Sequence, residues 1–548
     1  MLRGTVPSVQ SGALHTFSRA PQAEIPRSKF NRSHGVKTTF NEGYLVPVLC
    51  DEILPGDTFN LKMTAFARLA TPLFPIMDNM YLESFFFAVP YRLVWDNWEK
   101  FNGYQVDPGD STDFTIPQVV APAVTGVVEG TLADYMGIPV GVASLEYNTL
   151  HMRAYNLIWN EWFRDENMQD SVTVDTDNGP DTYGDYVLLR RGKRYDYFTS
   201  CLPFPQKGPD VELPLGTSAP ITSNYPVDTQ GRHLQIWQHF NVANTPAALT
   251  DTTGAVNSPV VSSQGATSGF TWPLDTDTYY AYADLSDATA ATINDLRLAF
   301  QTQKLYERDA RGGTRYTEVI KSHFGVVSPD MRLQRPEYLG GGSTPVIINP
   351  VAQTSATSGS NALGQLAAYG VCAPSGHGFT YSATEHCLLI GMVSVRADLN
   401  YQQGLERMWS RQTRLDYYWP ALSHIGEQGV LNKEIYTQGP AAINPGTGIA
   451  YDDEVFGYQE RYAEYRYKPS LITGLFRSDA TGSLDSWHLA QDFAALPALD
   501  TDFIEEDAPM TRIKAVTTQP DFLFDAFFQY HCARPMPVYA IPGLVDHF

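Results

Sequence analysis

The stretch TFNLKMTA, residues 58–65, decides the fold class because it alternates apolar and polar side chains. It follows the turn-forming Pro55-Gly56-Asp57, and its apolar residues occupy every second position: Phe59, Leu61, Met63 and Ala65. Successive side chains of a β-strand point to opposite faces. The pattern therefore predicts a strand with one buried face and one face in solvent.

Three further segments are short, apolar and rich in aromatic or β-branched residues. They are YLESFFFAVP from Tyr81, LLIGMVSVRAD from Leu388 and DFLFDAFFQYHC from Asp521. Such segments are typical of the strands of a sandwich. Because they lie far apart in the chain, long connections must join them. The sequence thus predicts a mainly β protein whose long loop insertions contain short helices.

Two apolar stripes at helical spacing predict the helices. The first consists of Leu150, Ala154, Leu157, Ile158 and Trp162, and the second of Ile293, Leu296 and Phe300. Apolar residues that recur at this spacing form one face of a helix. We expect both faces to pack against the sheets.

The composition limits the classes of function. Among 548 residues, 60 acidic and 38 basic side chains give a net charge of −22, which argues against a surface built throughout to bind nucleic acid or anionic membrane. The first residues lack the apolar core of a signal peptide, and no stretch approaches the roughly 18 apolar residues that span a bilayer. The five cysteines are scattered, which predicts reduced thiols: Cys50, Cys201, Cys372, Cys387 and Cys532.

Residues 1–40 have the opposite charge, with six basic residues and one acid, Glu24. A mobile basic arm on an acidic body often contacts nucleic acid. A basic surface tail without a partner fits the same pattern. The candidate DNA-facing residues are Arg3, Arg19, Arg27, Lys29, Arg32 and Lys37.

Between Pro205 and Thr289 the composition changes to Ser, Thr, Pro, Gly, Ala and Asp, which indicates a large insertion. Such a composition fits a segment that is disordered in the monomer. Isolated aromatic residues could instead order it where neighbouring copies pack together. They are Tyr225, Trp237, Phe240, Phe270 and Trp272.

No motif predicts a catalytic residue, a metal site or a cofactor. Cys372, His377, His386 and Cys387 lack the spacing of a zinc site, and DTDNGPD from Asp175 lacks the later acidic ligand of a calcium loop, so we interpret it as a solvated turn. GGG at 340–342 lacks the lysine of a phosphate-binding loop and is interpreted as a flexible turn.

Two acidic clusters could supply the pair of carboxylates that a glycosidase needs. They are Asp452-Asp453-Glu454 and Glu505-Glu506-Asp507. An acidic chain of this length offers such pairs by chance.

Two aromatic groups are candidates for contacts. Trp95, Trp98 and Phe101 could stack on bases, but their apolar surroundings favour the core or a subunit interface. A second run has the composition of protein interfaces and could equally face nucleic acid, with the interface favoured. Its residues are Tyr458, Arg461, Tyr462, Tyr465, Arg466 and Tyr467.

Long segments in a fixed order carry a family resemblance. They are FNRSHG from Phe30, LVPVLCDEILPGDTF from Leu45, ARLATPLFPIMDNMYLESFFFAVPYRLVWDNWEKFNG from Ala67, YERDARGGTRYTE from Tyr306, SHFGVVSPDMRLQRPEYLGGG from Ser322, YQQGLERMWSR from Tyr401, GEQGVLNKEIY from Gly426, VFGYQERYAEYRYKPSLITG from Val455 and CARPMPVYAIPGLVDHF from Cys532. Through them nearly the whole chain resembles the major capsid proteins of the microviruses, specifically the gokushovirus branch.

The resemblance implies a viral jelly roll of eight strands in two sheets. It further implies that sixty copies form a T=1 icosahedral shell around circular single-stranded DNA, as the virion capsid of a tailless bacteriophage assembled in the bacterial cytoplasm. The implied partners are a small basic internal DNA-binding protein, a scaffolding protein during assembly and a host cell-surface receptor, without membrane insertion or enzymatic activity.

The same resemblance divides the chain. Residues 1–40 are expected to form an interior-facing basic arm, and residues 41–204 the first part of the jelly roll with an inserted helix. Residues 205–289 are expected to form a surface protrusion at the threefold axis, ordered by the insertion's aromatic residues and used in host attachment. Residues 290–548 complete the jelly roll and its interface loops. The alternatives are a β-rich carbohydrate-active enzyme and a minor spike protein.

Overall fold

The structure is a computed structural model. It describes residues 26–208, 211, 221–223, 236–240, 243–247, 281–283, 293–354, 364–398 and 400–539. The chain forms two compact units: the first contains Met1–Lys207 and Arg308–Phe548, and the second is Gly208–Glu307. The sequence-based insertion of 205–289 ends within the second unit.

The described residues form these strands: β1 Ser28–Asn31, β2 His34–Phe40, β3 Val46–Ile53, β4 Thr58–Leu69, β5 Met80–Pro90, β6 Gln118–Val120, β7 Glu146–Asn148, β8 Ile221–Ser223, β9 Ile236–Phe240, β10 Ala243–Ala247, β11 Ala281–Ala283, β12 Glu337–Pro345, β13 Ile347–Ala352, β14 Leu366–Cys372, β15 Ser375–Ser382, β16 Cys387–Ala397, β17 Glu427–Leu431, β18 Val455–Glu460 and β19 Phe522–Arg534. All four strands predicted from the sequence are confirmed, as β4, β5, β16 and β19.

The helices are mostly short: α1 Trp98–Phe101, α2 Leu132–Tyr135, α3 Leu150–Ile158, α4 Ile293–Gly312, α5 Tyr316–Val319, α6 Asp330–Leu333, α7 Asn432–Ile435, α8 Thr501–Ile504 and α9 Met510–Ile513. A π-helical turn, Trp159–Phe163, continues α3, and another, Ile320–Phe324, continues α5. In the second unit, β8 pairs with β11 and β9 with β10.

A seven-stranded sheet forms the first layer of the larger unit. Its order is β1-β19-β4-β14-β13, with β2 also paired to β19 and β15 also paired to β4. Strands β1 and β2 occupy successive parts of one edge of β19, and β14 and β15 do the same along β4. The seven strands therefore fill four main positions, with β13 added beside β14.

A four-stranded sheet, in the order β12-β5-β16-β3, forms the second layer. Apolar side chains of the two sheets share one core, which includes Phe59 and Leu61 of β4 together with Leu82 and Phe86 of β5. Four strand positions in each of two facing layers give the eight-stranded jelly-roll sandwich that the family resemblance implies.

The two layers differ in how many faces they bury, and the sequence encodes this difference. Strand β16 is buried at nearly every position, because its second face packs against a cluster that contains α3 and Trp95. Strand β4 is buried only at alternate positions. The continuous apolar run in β16 and the alternation in β4 follow from these environments.

The three glycines at 340–342 lie in β12, so their interpretation as a flexible turn is wrong. A Cβ on Gly341 would lie 2.0 Å from the Ser84 carbonyl oxygen, and one on Gly342 would lie 2.4 Å from Cδ2 of His377. Gly342 is required because β12 approaches β15 of the other layer closely, whereas Gly341 is required because the β5 backbone lies beside it in the same sheet.

The helical stripes have different environments. In α3, Leu150, Ala154 and Ile158 are buried, as predicted. In α4, Ile293, Leu296 and Phe300 are exposed, so this stripe is not the buried face that the sequence predicts. Most other positions of α4 are polar, and of its residues only Ala310 is buried.

Candidate assembly and nucleic-acid surfaces

The basic N-terminal segment is partly built into the sandwich. The sequence predicts a mobile arm through Phe40, but residues from Ser28 onward form β1 and β2 on β19. The alternation of HGVKTTF explains this, since Val36 and Phe40 pack on the core. Arg27 donates a hydrogen bond from Nη2 to Thr58 Oγ1 at 3.0 Å.

The candidate DNA-facing residues do not share one environment. Lys29 and Lys37 occupy exposed positions of β1 and β2. Arg32 forms a two-hydrogen-bond ion pair with Asp51, in which Nη2 lies 2.9 Å from Oδ1, and it stacks on the Tyr530 ring. Arg3 and Arg19 lie outside the described residues. The DNA-facing role of all six stays a prediction.

The aromatic residues assigned to the insertion also stay predictions. Trp237 and Phe240 belong to β9. Tyr225, Phe270 and Trp272 lie outside the described part of the chain.

The tyrosine- and arginine-rich run follows β18. Tyr458 lies in that strand, whereas Tyr462 is buried and Tyr465 is exposed. Arg461 stacks on the Tyr462 ring at 5.0 Å, and Arg466 pairs with Glu460. Tyr465 and Arg466 lie at the protein surface, and the Tyr462 ring packs edge-on against that of Tyr465. The interface role of this run stays a prediction.

An exposed apolar surface beside this run was missed from the sequence. We call it the loop surface, and its exposed residues are Trp409, Leu415, Tyr417, Tyr418, Trp419, Ile425 and Tyr465. Trp409 is 71% exposed. The signal available in the sequence was RMWSRQTRLDYYWP from Arg407, a cluster of Trp, Tyr and Arg without strand or helix periodicity. Interfaces are enriched in these three residue types.

Arginine side chains hold the rings of the loop surface in place. The Arg411 guanidinium lies 4.4 Å from the centroid of the Tyr465 ring and 5.5 Å from that of Tyr417. Arg414 lies 4.5 Å from the Trp419 ring centroid. Cation–π contacts of this kind fix aromatic side chains before a partner arrives, which lowers the entropy cost of association.

The acidic turn that begins at Asp175 has a structural role. Asp181 is buried and accepts a hydrogen bond from Arg153 Nε at 2.8 Å, and the Arg153 side chain is fully buried. Burial alone would raise the pKa of Asp181. Hydrogen bonds from Arg153 and Tyr186 instead hold this pKa below its ordinary value. The interpretation of the whole turn as solvated is therefore wrong at Asp181.

In the acidic cluster at 505–507, Glu506 forms a pair of buried carboxyl groups with Glu42. Glu506 is fully buried, and burial raises its pKa to about 7. Burial and the charge of Glu506 raise the pKa of Glu42 well above its ordinary value. Among the described residues, one carboxyl oxygen of each has no hydrogen-bond partner. Ala397 N–H donates to the other oxygen of Glu506 at 2.9 Å.

Other candidates for chemistry are packed into the fold. Trp95 is buried, as predicted, and donates from Nε1 to Asn178 at 2.8 Å. Cys372, His377 and Cys387 are buried, and the described residues contain no group of three side chains suited to a metal ion. The five cysteines are free thiols. In the part of the chain that the structure describes, no helix combines the length and apolar character needed to cross a bilayer.

A jelly-roll sandwich is the architecture of many viral shell subunits, and an exposed surface rich in Trp, Tyr and Arg suits contacts between such subunits. The family model described as "Capsid protein (F protein)" matches residues 18–544, and the chain belongs to that family. The predicted resemblance to the major capsid proteins of microviruses, gokushovirus branch, is confirmed, and the chain is a major capsid protein of the virion.

Three relatives carry the name capsid protein VP1. The chain is 49% identical to that of Bdellovibrio phage phiMH2K, over 97% of this chain and 98% of the relative. It is 45% identical to that of Chlamydia phage 1, over 98% of both chains. It is 36% identical to that of Spiroplasma virus 4, over 97% of this chain and 98% of the relative.

Proposed function

We propose that sixty copies of this chain form a closed T=1 icosahedral shell around a circular single-stranded DNA genome. The loop surface carries the proposal: it exposes clustered aromatic and aliphatic side chains that a monomer seldom leaves in solvent. Closed symmetry repeats each contact many times, so individually modest interfaces stabilise the whole shell.

We also propose how the subunit contacts its genome, the other proteins of assembly and the host. The acidic body, in a chain of net charge −22, disfavours tight binding of DNA by the whole surface. We therefore assign packaging to the basic N-terminal segment together with a small basic internal protein. A scaffolding protein acts during assembly in the bacterial cytoplasm. Residues 205–289 form a protrusion at the threefold axis that contacts the host receptor.

The mass of the purified assembly tests the shell directly. Sixty copies of a 60.9 kDa chain give a protein mass of about 3.7 MDa. Charge-detection mass spectrometry of nuclease-treated particles should show this mass plus that of protected DNA. A single species of one or two subunits would contradict the proposal.

We also propose that the chain acts without catalysis. Membership of a capsid family supports this. Of the acidic residues that the sequence offered to a glycosidase, Asp453 pairs with Lys433, and Glu506 is fully buried. Purified subunits should hydrolyse no oligosaccharide substrate. Steady turnover of an oligosaccharide that disappears when the Glu506 or Asp453 carboxylate is substituted would restore the alternative of a carbohydrate-active enzyme.

A further inference from the structure

The solvent side of the seven-stranded sheet combines cations with exposed rings. We call it the open face, and it is formed by the outward positions of β1, β2, β4, β13, β14, β15 and β19. Its prominent residues are Lys29, Lys37, Lys62, Phe66, Arg68, Tyr369, Leu523, Asp525 and Phe527. These positions alternate with core residues, so the sandwich itself holds them on one surface.

The strand register fixes how these side chains are arranged. Phe66 lies opposite Asp525, and Thr64 lies opposite Phe527. The two phenylalanines are therefore diagonal neighbours on adjacent strands. Arg68 and Lys62 flank Phe66 along β4: Arg68 is one outward position away on one side, and Lys62 is two outward positions away on the other. Outward positions follow one another every ~6.6 Å along a strand, so Lys62 and Arg68 lie about 20 Å apart along β4.

The charge of the open face is opposite to that of the chain. At its outward strand positions Asp525 is the only acid, and it already pairs with Lys37, with Nζ 2.6 Å from Oδ2. Within the described residues, Lys62 and Arg68 have no ion-pair partner. Two free cations on a chain of net charge −22 are complementary to a polyanion.

The exposed rings add the second element of single-strand recognition. Phe66 and Phe527 are 50% and 54% exposed, and neither stacks on another ring among the described residues. Bases of a single strand stack on such rings whatever their sequence, while adjacent cations contact the phosphates. Bases inside a duplex are already paired and stacked, so a duplex cannot use these rings.

We propose that the open face binds the single-stranded genome, with Phe66 and Phe527 stacking on bases and Lys62 and Arg68 contacting phosphates. The proposal rests on the proposed shell function and identifies where the DNA contacts the subunit. It also gives Lys29 and Lys37 a role at the edge of the same surface. Arg32, paired with Asp51 beside Tyr530, lies outside it.

Binding of a fluorescent oligothymidine to the unassembled subunit tests the stacking part. The double variant Phe66→Thr/Phe527→Thr keeps residues suited to strands but removes both rings. We expect at least a tenfold loss of affinity for the single strand and little change in the weak affinity for a duplex of equal length. The matched control is Leu523→Thr, which removes an equally exposed apolar group without a ring from the same face.

The cations are tested by the salt dependence of the same binding. Lys62→Gln/Arg68→Gln should lower the slope of log K against log salt by about 1.4, since each single-strand phosphate contact contributes about 0.7. The control is Lys468→Gln, an exposed lysine outside the sandwich strands. If the Thr variant fails to fold, the salt slope of Lys62→Gln/Arg68→Gln decides whether the open face binds DNA. Phe66→Tyr/Phe527→Tyr, which keeps both rings, should then bind oligothymidine as tightly as the wild type.

The outcomes separate this inference from the shell itself. A wild-type protein that forms no icosahedral shell would overturn the proposed function. Normal shells, with unchanged oligothymidine affinity in the ring variant and an unchanged salt slope in the cation variant, would overturn the open-face proposal alone. A ring variant that binds DNA normally but no longer assembles would also overturn it, because the face would then contact a second copy.

Discussion

His377 on β15 is hydrogen-bonded to Ser84 on β5, with 2.8 Å between Nδ1 and Oγ, so a single imidazole connects the two sheets of the sandwich. Its other nitrogen, Nε2, lies 2.9 Å from Thr344 Oγ1 on β12. The imidazole is buried and occupies the space left by the missing side chain of Gly342. A histidine considered as a metal ligand from the sequence is thus part of the packing between layers.

Gly342→Ala should destabilise the subunit by about 1–3 kcal/mol, because the new Cβ would clash with the His377 ring in a packed interior. Urea unfolding of the unassembled subunit measures this change. Gly109→Ala is the control, since a Cβ there meets no atom within 4 Å. Equal stability of the two variants would show that the layers are not packed as described.

Asp181→Asn should lower the free energy of unfolding by about 3–5 kcal/mol, because it leaves the fully buried Arg153 charge without its counter-ion. Asp177→Asn is the matched control, since Asp177 also lies near this guanidinium, at 3.5 Å, but is largely exposed. Its substitution should change the free energy of unfolding much less. The same unfolding measurement with and without a chelator should give one value. Destabilisation by the chelator would instead support a bound calcium ion.

Glu506 makes the subunit less stable as the pH rises from 5 to 8. Its pKa is about 7 when folded, against an ordinary value of 4.5, so the folded state binds the proton more tightly. The stability that Glu506 adds to the folded state is fully present below pH 4.5 and is lost as the pH rises through 7. Thermal unfolding across this range should therefore show a loss of order 3 kcal/mol from this group.

Glu506→Gln should reduce that loss, because the amide stays neutral while Arg191, Lys193 and Arg396 still surround it. The remaining dependence should come from Glu42, whose pKa is also raised. A wild-type subunit whose stability rises from pH 5 to 8 would contradict the burial of this carboxyl group.

Trp409→Ser/Leu415→Ser should raise the concentration of subunit needed for shell assembly at least tenfold, since truncating an aromatic anchor of an interface costs about 2 kcal/mol or more. The unfolding of the subunit should not change, because both residues are exposed. Light scattering during assembly provides the measurement, and Val124→Ser, at another exposed apolar residue, is the control. Normal assembly of the double variant would exclude the loop surface from the interfaces.

The sequence predicts those elements whose own pattern carries the information. Strand β4 alternates because one of its faces is in solvent, and β16 is continuously apolar because both of its faces are buried. Their partners could not be predicted from the residues alone, since β4 pairs with β19 across most of the chain. Only the family resemblance supplied that arrangement.

Features that depend on distant residues were missed for the same reason. Gly340 to Gly342 resemble a turn until His377 and Ser84 are placed beside them. Asp181 resembles a solvated acid until Arg153 of α3 is brought against it. Of the open face, the sequence singled out Lys29 and Lys37 by charge, whereas Lys62 and Phe527 lay unremarked within predicted strands and Phe66 lay just beyond one.

Electron cryo-microscopy of the nuclease-treated particle tests the capsid function and the DNA assignment together. We expect an icosahedral shell of sixty jelly-roll subunits, with the seven-stranded sheet turned inward and protected DNA density on its open face beside Phe66 and Phe527. A shell with that sheet turned outward would contradict the DNA assignment, and the absence of any closed shell would contradict the capsid function itself.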